Sequence, residues 1–307
     1  MTIPLSEPLL TVPYVGLAEF KASPTWLDLQ DLVEGGSQTA QDDELYNQLL
    51  KASSWADNFC TQTLHAHVEF ESVRSRIDRR GRMFLHPVNN PVRSVVGVAY
   101  GTDFQNLAPL ANLAQTWVED ARGIIVSAVP WQGTFSGTLQ FGSAPSAGRE
   151  VYVQYSYVAG YANTYLTSAA TAGQTSLTVA DPTGFNPAAT SIFNTSVGGS
   201  TARIWDPGNE EAVAVAPSYV TGANPVTLTS GLVNNHAIGV QVTEFPADIR
   251  QAVTQYACGL LLREDTADDM PFPGSPGPTA RRSGSRGVAG GLIDEAERLL
   301  MPYRRVR

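Results

Sequence analysis

The sequence predicts a mixed α+β protein: an α-helical bundle with an antiparallel β-hairpin and meander, an inserted all-β domain built as a small barrel or sandwich, and a flexible C-terminal arm. Three observations predict it. Apolar residues recur every three or four positions in segments towards each end, and they alternate with polar residues between 67 and 157. From about residue 166 to 243 the composition turns to Thr, Ser, Ala, Gly, Asn and Pro. The chain has 307 residues, enough for more than one core, since a single core serves about 100 to 200 residues.

Each element follows from its pattern. In 42–64, Leu45, Leu49, Ala52, Ala56 and Phe59 form one helical stripe, with Thr39 or Asp42 placed to cap it. A shorter helix runs through Leu17 and Phe20 until Pro24 interrupts it. From residue 67 the period becomes two: Val68, Phe70, Val73 and Ile77 alternate with polar neighbours, and Arg80-Gly81 marks a hairpin turn. Further strands are expected at 93–100, 115–120, 122–128, 137–141 and 151–157, the last alternating through Val151, Val153, Tyr155 and Tyr157.

The Thr/Ser-rich region offers short strands at 175–180, 202–206, 210–216, 225–230 and 239–245, punctuated by turn clusters such as Asp206-Pro207-Gly208-Asn209. Helical spacing then returns: Pro246 suits a first turn, Asp248 the positive end of the dipole, and Ile249, Val253, Tyr256 and Leu260 a stripe. The expected division is 1–165 helices and meander, 166–245 inserted all-β domain, 246–265 returning helix, 266–290 flexible linker and 291–307 docking helix or arm. Residues 266–290 hold too little apolar surface to order themselves.

The net charge of -9 argues against a surface that grips nucleic acid as a whole. Of the twenty basic residues only Lys21 and Lys51 are lysine, which suits many-donor interface contacts or reflects arginine-rich codon usage. Cys60 and Cys258 sit in apolar helical contexts and read as core residues. No signal peptide and no apolar run of about 20 residues is evident, so assembly in the cytoplasm without a membrane is expected.

No catalytic signature emerges. There is no G-x-S-x-G, P-loop or dinucleotide glycine set. His65 and His67 share a strand face with nothing to complete a metal set, and His86 and His236 stand alone. Asp206, Asn209 and Glu210 lack calcium-loop spacing, and the pairs Glu210-Glu211 and Asp268-Asp269 diverge rather than converge. The expectation is no enzyme, no cofactor and no metal.

Six segments, 14–33 (YVGLAEFKASPTWLDLQDLV), 49–60 (LLKASSWADNFC), 79–98 (RRGRMFLHPVNNPVRSVVGV), 151–161 (VYVQYSYVAGY), 245–264 (FPADIRQAVTQYACGLLLRE) and 296–305 (AERLLMPYRR), occur in an order that resembles the head-to-tail connector (adaptor) family of long-tailed bacteriophages. The resemblance implies a virion protein of the neck. It would form a ring of about twelve copies on the portal protein, extend the DNA channel, and dock the head-completion (stopper) or tail-terminator protein. Viral DNA would pass through the lumen without sequence-specific binding. Simple members run from the Gly-Tyr strand end directly to the later helix; here the Thr/Ser-rich region intervenes between Tyr165 and Phe245, as an outward docking module. An alternative is a phage surface binding module whose β-insert recognises host glycan, with Trp205 and Tyr219 as stacking platforms.

Charge segregation assigns candidate surfaces within that picture. Glu19 and the channel-lining candidates Asp28, Asp31, Glu34, Asp42, Asp43 and Glu44 crowd the N-terminal region, whereas Arg74, Arg76, Arg79, Arg80, Arg82 and Arg93 crowd the first β-region. In a ring each patch repeats and its field adds. Arg79, Arg80 and Arg82 are expected at an interface, as are Leu292, Leu299, Leu300, Tyr303, Arg304 and Arg305 of the arm, docked on the portal or the adjacent subunit. The alternatives are solvated faces for the charges and an intramolecular fourth helix for the arm.

Overall fold

A computed structural model describes residues 10–25, 27, 29–30, 32–78, 82–110, 113, 116–119, 123–127, 150–187, 189–190, 196–197, 199–265 and 282–305. The fold is mixed α+β with antiparallel sheets. Its helices are α1 (Leu17–Ala22), α2 (Gln38–Cys60), α3 (Ala247–Asp265) and α4 (Arg282–Leu300), the last closed by a 3-10 turn over Met301–Tyr303.

Helix α2 begins at Ser37, whose hydroxyl accepts the Ala40 N–H at 3.3 Å. This corrects the expected caps: Thr39 and Asp42 are the second and fifth helical residues, past the N-cap position from which a side-chain oxygen accepts a first-turn N–H. The buried face of α2 runs through Leu45, Leu49, Ala52, Ala56 and Cys60, and that of α3 through Ile249, Ala252, Val253, Ala257, Cys258 and Leu261. Their alanines and free cysteines let the two helices approach closely. Tyr14, Val15 and Phe20 fill the remaining side of this core.

The C-terminal segment is docked on its own chain. Ala296 and Leu300 are fully buried, and Leu292, Leu299 and Tyr303 pack half-buried against the same core. Beyond the helix, Arg305 N–H donates to Cys60 O at 2.9 Å, Gln62 Nε2 to Tyr303 O at 2.8 Å and Thr61 Oγ1 to Arg305 O at 3.2 Å. The expectation that Leu300 serves a neighbouring subunit is therefore corrected: the small-residue face of α3 supplies a nearer apolar partner than another molecule can. Helix α4 also starts at Arg282, inside the segment read as linker.

The first β-region contains β1 (His67–Arg76), β2 (Arg82–Leu85), β3 (Val92–Gly101), β4 (Ala108–Pro109), β5 (Thr116–Glu119), β6 (Gly123–Ser127) and β7 (Glu150–Ala159). One sheet has the order β1-β7-β3-β4 and a second the order β2-β6-β5. Val151, Val153, Tyr155 and Tyr157 point into a core shared with Ile77, Met83, Leu85, Ile124 and Val126. The expected hairpin closes at its turn end only: Ile77 bridges Met83 antiparallel and Asp78 N–H donates to Arg82 O at 2.8 Å, while β1 pairs along its whole length with β7 and β2 crosses to the other sheet to pair with β6. Residues 79–81 and 137–141, read as turn and strand, lie outside the described residues.

Residues 162–242 surround a separate apolar cluster that includes Leu166, Phe185, Ile204, Val213, Tyr219 and Val242. Strands β8 (Asn163–Tyr165), β9 (Ser176–Leu177), β10 (Ala189–Thr190), β11 (Ser196–Val197), β12 (Thr201–Trp205), β13 (Glu211–Ala214), β14 (Val226–Thr227) and β15 (Gln241–Thr243) are shorter than the sequence runs, because turn clusters cut them. A sheet of order β13-β12-β15-β8 organises them, with β9 paired to β14 and β10 to β11.

Polar side chains tie this cluster to the helices. Gln241 Nε2 donates to Pro13 O at 2.9 Å and Asn163 Oδ1 at 2.7 Å. Arg250 of α3 forms an ion pair with Glu19 of α1 and places its guanidinium 3.5 Å from the Trp205 ring centre. Arg93 of β3 pairs with Glu244 at 3.0 Å, yet burial still pushes the Glu244 carboxyl above its ordinary value. At the end of β7, Gly160 turns the chain with φ +95, where a Cβ would lie 2.3 Å from His65 O; only glycine fits.

Candidate assembly surface

Strand β1 turns Val68 and Phe70 to solvent along with Ser72 and Arg74, while Glu69, Glu71 and Val73 take the inner face and Ile77 follows into the core. Val68 is 59% exposed and Phe70 50%. Facing inward instead are Glu69 and Glu71. Glu71 accepts from the hydroxyls of Tyr155 and Tyr157 and from Val88 N–H at 2.7 Å, and Glu69 accepts from Asn89 Nδ2 at 2.7 Å. These charge-assisted bonds hold two carboxylates against the tyrosine ladder, so the strand turns its hydrophobic residues to solvent. On β3, across β7 from this strand, a bulge between Val95 and Gly97 leaves Val96 exposed, and exposed Phe104 meets Tyr152 edge-on at 6.1 Å.

A second surface feature runs along α2 and α3. Trp55 stacks on Tyr256 at 3.8 Å and on Phe59 at 5.6 Å, and Arg304 sits 5.4 Å from the Phe59 ring centre. A shallow groove beside this row is lined by Glu44, Leu50, Lys51 and Trp55. Arg304 is thus engaged within the chain, and Arg305 contributes its backbone to the seam with α2.

The charged candidates divide. Asp28, Asp31, Arg79 and Arg80 lie outside the described residues. Glu34 and Asp43 are exposed. Asp42 is bound by Lys21 and by Gln38 Nε2 at 2.8 Å, and these bonds hold its carboxyl below the usual range. Glu44 accepts from Gln48 at 2.7 Å. Glu19, counted with the acidic patch, is buried against Arg250. The arginine cluster does not await external carboxylates: Arg76 pairs with Glu150 at 2.9 Å, Arg82 with Asp78 at 3.0 Å, and Arg93 with Glu244. Arg74 donates to Tyr152 Oη at 2.7 Å and lies 4.8 Å from that ring's centre. Glu150 reaches Arg76 from the paired strand β7, Glu244 reaches Arg93 from just past β15, and Asp78 reaches Arg82 from four residues earlier in the chain.

The glycan platforms are also occupied. Tyr219 is 4% exposed and donates to Ala223 O at 2.8 Å, while Trp205 carries Arg250 and, at 4.6 Å, Arg203. His236 is not isolated: its ring nitrogens lie 3.1 Å from Asp206 Oδ2 and 2.7 Å from Glu211 Oε1. Glu211 further accepts the Val233 and Asn234 N–H groups, which fixes a loop that exposes Val233 and Ile238. Sequence reasoning missed this cluster because its members are far apart in the chain. Among the described residues, no group of three or more His, Cys, Asp or Glu is placed to hold a metal ion, and no helix is long and apolar enough to cross a membrane.

His65 and His67 carry a testable contrast. Burial, with the neighbouring His67 charge second, draws His65 down to about 4. Burial also opposes protonation of His67, but Glu69 at 2.9 Å and His65 O at 2.7 Å outweigh it and raise its pKa. NMR titration should find His65 with a midpoint near 4 and His67 above the ordinary value of about 6.5. Stability should fall as acid is added from about 6.5 towards 4, where the unfolded chain binds the His65 proton more readily. The His67 contribution is present below its ordinary value and lost as pH rises through its folded one. Two ordinary midpoints would refute this geometry.

Fold and surface together define an α+β protein whose first antiparallel sheet leaves Val68, Phe70 and Val96 exposed. Comparison with protein-family models, with curated proteins and with solved structures gives no match.

Proposed function

We propose that this chain is a virion structural protein, the head-to-tail connector of a long-tailed bacteriophage, which assembles as a ring of about twelve copies on the portal. In this reading α2, α3 and α4 form the helical bundle at the ring's core, and 166–245 is the inserted all-β domain directed outward. The observation that carries the reading is the solvent-facing Val68, Phe70, Val96 and Phe104 around one sheet, apolar surface of the kind that marks a protein contact. The order of the six segments that resemble connectors supports the same assignment. The exposed acids Glu34 and Asp43 are candidates for the channel wall, where like charge keeps DNA mobile. No enzymatic step, cofactor or metal belongs to this function.

Phage particles produced without the protein test it. Filled heads that fail to join tails are expected; normal joining in its absence would exclude a connector role.

A further inference from the structure

We infer that the β unit formed by β8, β9 and β12 to β15 rocks as one body on a two-strand stem, parting a polar seam against α1 and α3 as it closes a cleft beside β8, an inference that stands apart from the connector reading. The chain enters this unit at Ala162 and leaves it at Glu244. Glu244 N–H donates to Ala162 O at 2.8 Å, so the two crossings lie side by side. Among the described residues, the apolar cluster of the unit shares no buried residue with the helical core or with the core of the first β-region. Separate cores joined by one narrow stem make the stem the axis about which motion disturbs least packing.

The seam is polar where it is buried. Trp205 and Gln241 stand opposite each other on β12 and β15, while Ile204 and Val242, one residue along, are fully buried in the unit's own cluster. Gly16 and Glu19 of the α1 region and Arg250 of α3 meet them: a Cβ on Gly16 would lie 2.6 Å from Gln241 Oε1, and the Arg250 guanidinium, paired with Glu19, sits 3.5 Å from the Trp205 ring centre. Four side-chain atoms in this contact, Gln241 Oε1, Trp205 Nε1, Arg250 Nε and Glu19 Oε2, are buried without a hydrogen-bond partner among the described residues. Each carries a desolvation cost in the closed form that water removes once the seam parts.

Room for the motion lies at the other edge of the same sheet, where β8 is outermost. A cleft of about 390 Å³ separates Val12, His65 and Val68 from Thr164, Tyr165 and Asp181 of the unit. Between seam and cleft, Gln241 Nε2 donates to Pro13 O at 2.9 Å and Asn163 Nδ2 to the same oxygen at 3.1 Å. These are side-chain bonds to a single backbone carbonyl, which follow a small tilt without breaking. Gly184, whose Cβ would lie 2.5 Å from that of Ala66, marks the close contact on which the tilt turns.

Apolar residues at 241 and 250 would have sealed the seam. The chain instead places there an amide and a guanidinium that water serves better than their neighbours do, a departure from core chemistry of the kind that accompanies moving parts. The open form presents Trp205 beside the Glu19–Arg250 pair, a surface that the closed form hides.

Thiol labelling of the full chain, read by mass spectrometry, tests the opening. Gln241→Cys places a thiol in the seam, and Val242→Cys, the next residue of the same strand, places one in the unit's own cluster. In native buffer the thiol at 241 should label about tenfold or more faster than the thiol at 242, with a weak urea dependence because a tilt exposes little surface. Equal rates with one shared urea dependence would mean that the seam parts only on unfolding, and would overturn the inference. Spin labels at Val68→Cys and Tyr165→Cys, exposed positions on the two walls of the cleft, read the motion without touching the seam. Two distances are expected between them, and a single narrow distance would overturn the inference as well.

Discussion

Glu19→Gln should destabilise the protein by about 3 to 5 kcal/mol, the cost of leaving a buried charge without its partner. Both side chains of the Glu19–Arg250 pair are 10% exposed, and burial alone pulls the Arg250 guanidinium down to about 10. In the wild-type protein the carboxylate and the Trp205 ring offset that desolvation. Without Glu19 the guanidinium keeps its charge and loses its principal counter-ion. A double variant, Glu19→Gln with Arg250→Met, should recover much of the loss, because an apolar chain of similar length has no charge to desolvate. Urea unfolding reads both effects. A loss below about 1 kcal/mol in the single variant is the size of a surface ion pair and would refute the burial argument.

The second large effect concerns α4. Leu300→Ala should cost about 2 to 5 kcal/mol, since Leu300 is fully buried and the truncation leaves a cavity between α2, α3 and α4. Leu299→Ala, at a half-buried neighbouring position, should cost distinctly less. Thermal or denaturant unfolding of the two variants orders the faces of the helix. Equal costs would place the inner face wrongly, and a negligible cost at Leu300 would return α4 to an external docking partner.

These residues also show what the sequence made legible. The α+β class, the α2 stripe through Leu45, Leu49, Ala52 and Ala56, and the alternation of β7 were readable because a single periodicity governs each. Strand β1 was legible only in part. Val68, Phe70, Val73 and Ile77 do not share one face: Val73 and Ile77 join the core, whereas Val68 and Phe70 face solvent because Glu69 and Glu71 take the inner positions and accept from tyrosine hydroxyls, the Val88 N–H and the Asn89 amide. No local signal announces partners that are brought together only by the sheet.

The arginines repeat the lesson. Arg76 and Arg93 looked available as a cluster in sequence, while their carboxylates came from distant Glu150 and Glu244; only the Arg82 partner, Asp78, stood within reach in the sequence, four residues earlier. Likewise the arm's Leu300 needed an apolar partner, and sequence alone did not say that α3 of the same chain was nearest. The assembly surface proposed above therefore rests on the apolar residues that the fold leaves exposed, Val68, Phe70, Val96 and Phe104.

Electron microscopy of the purified protein mixed with its portal measures the central claim most directly. The account predicts one added ring on the portal, lost when Val68 and Phe70 are both replaced by Glu in a variant that still folds. Portal particles that stay unchanged at saturating wild-type protein would contradict it.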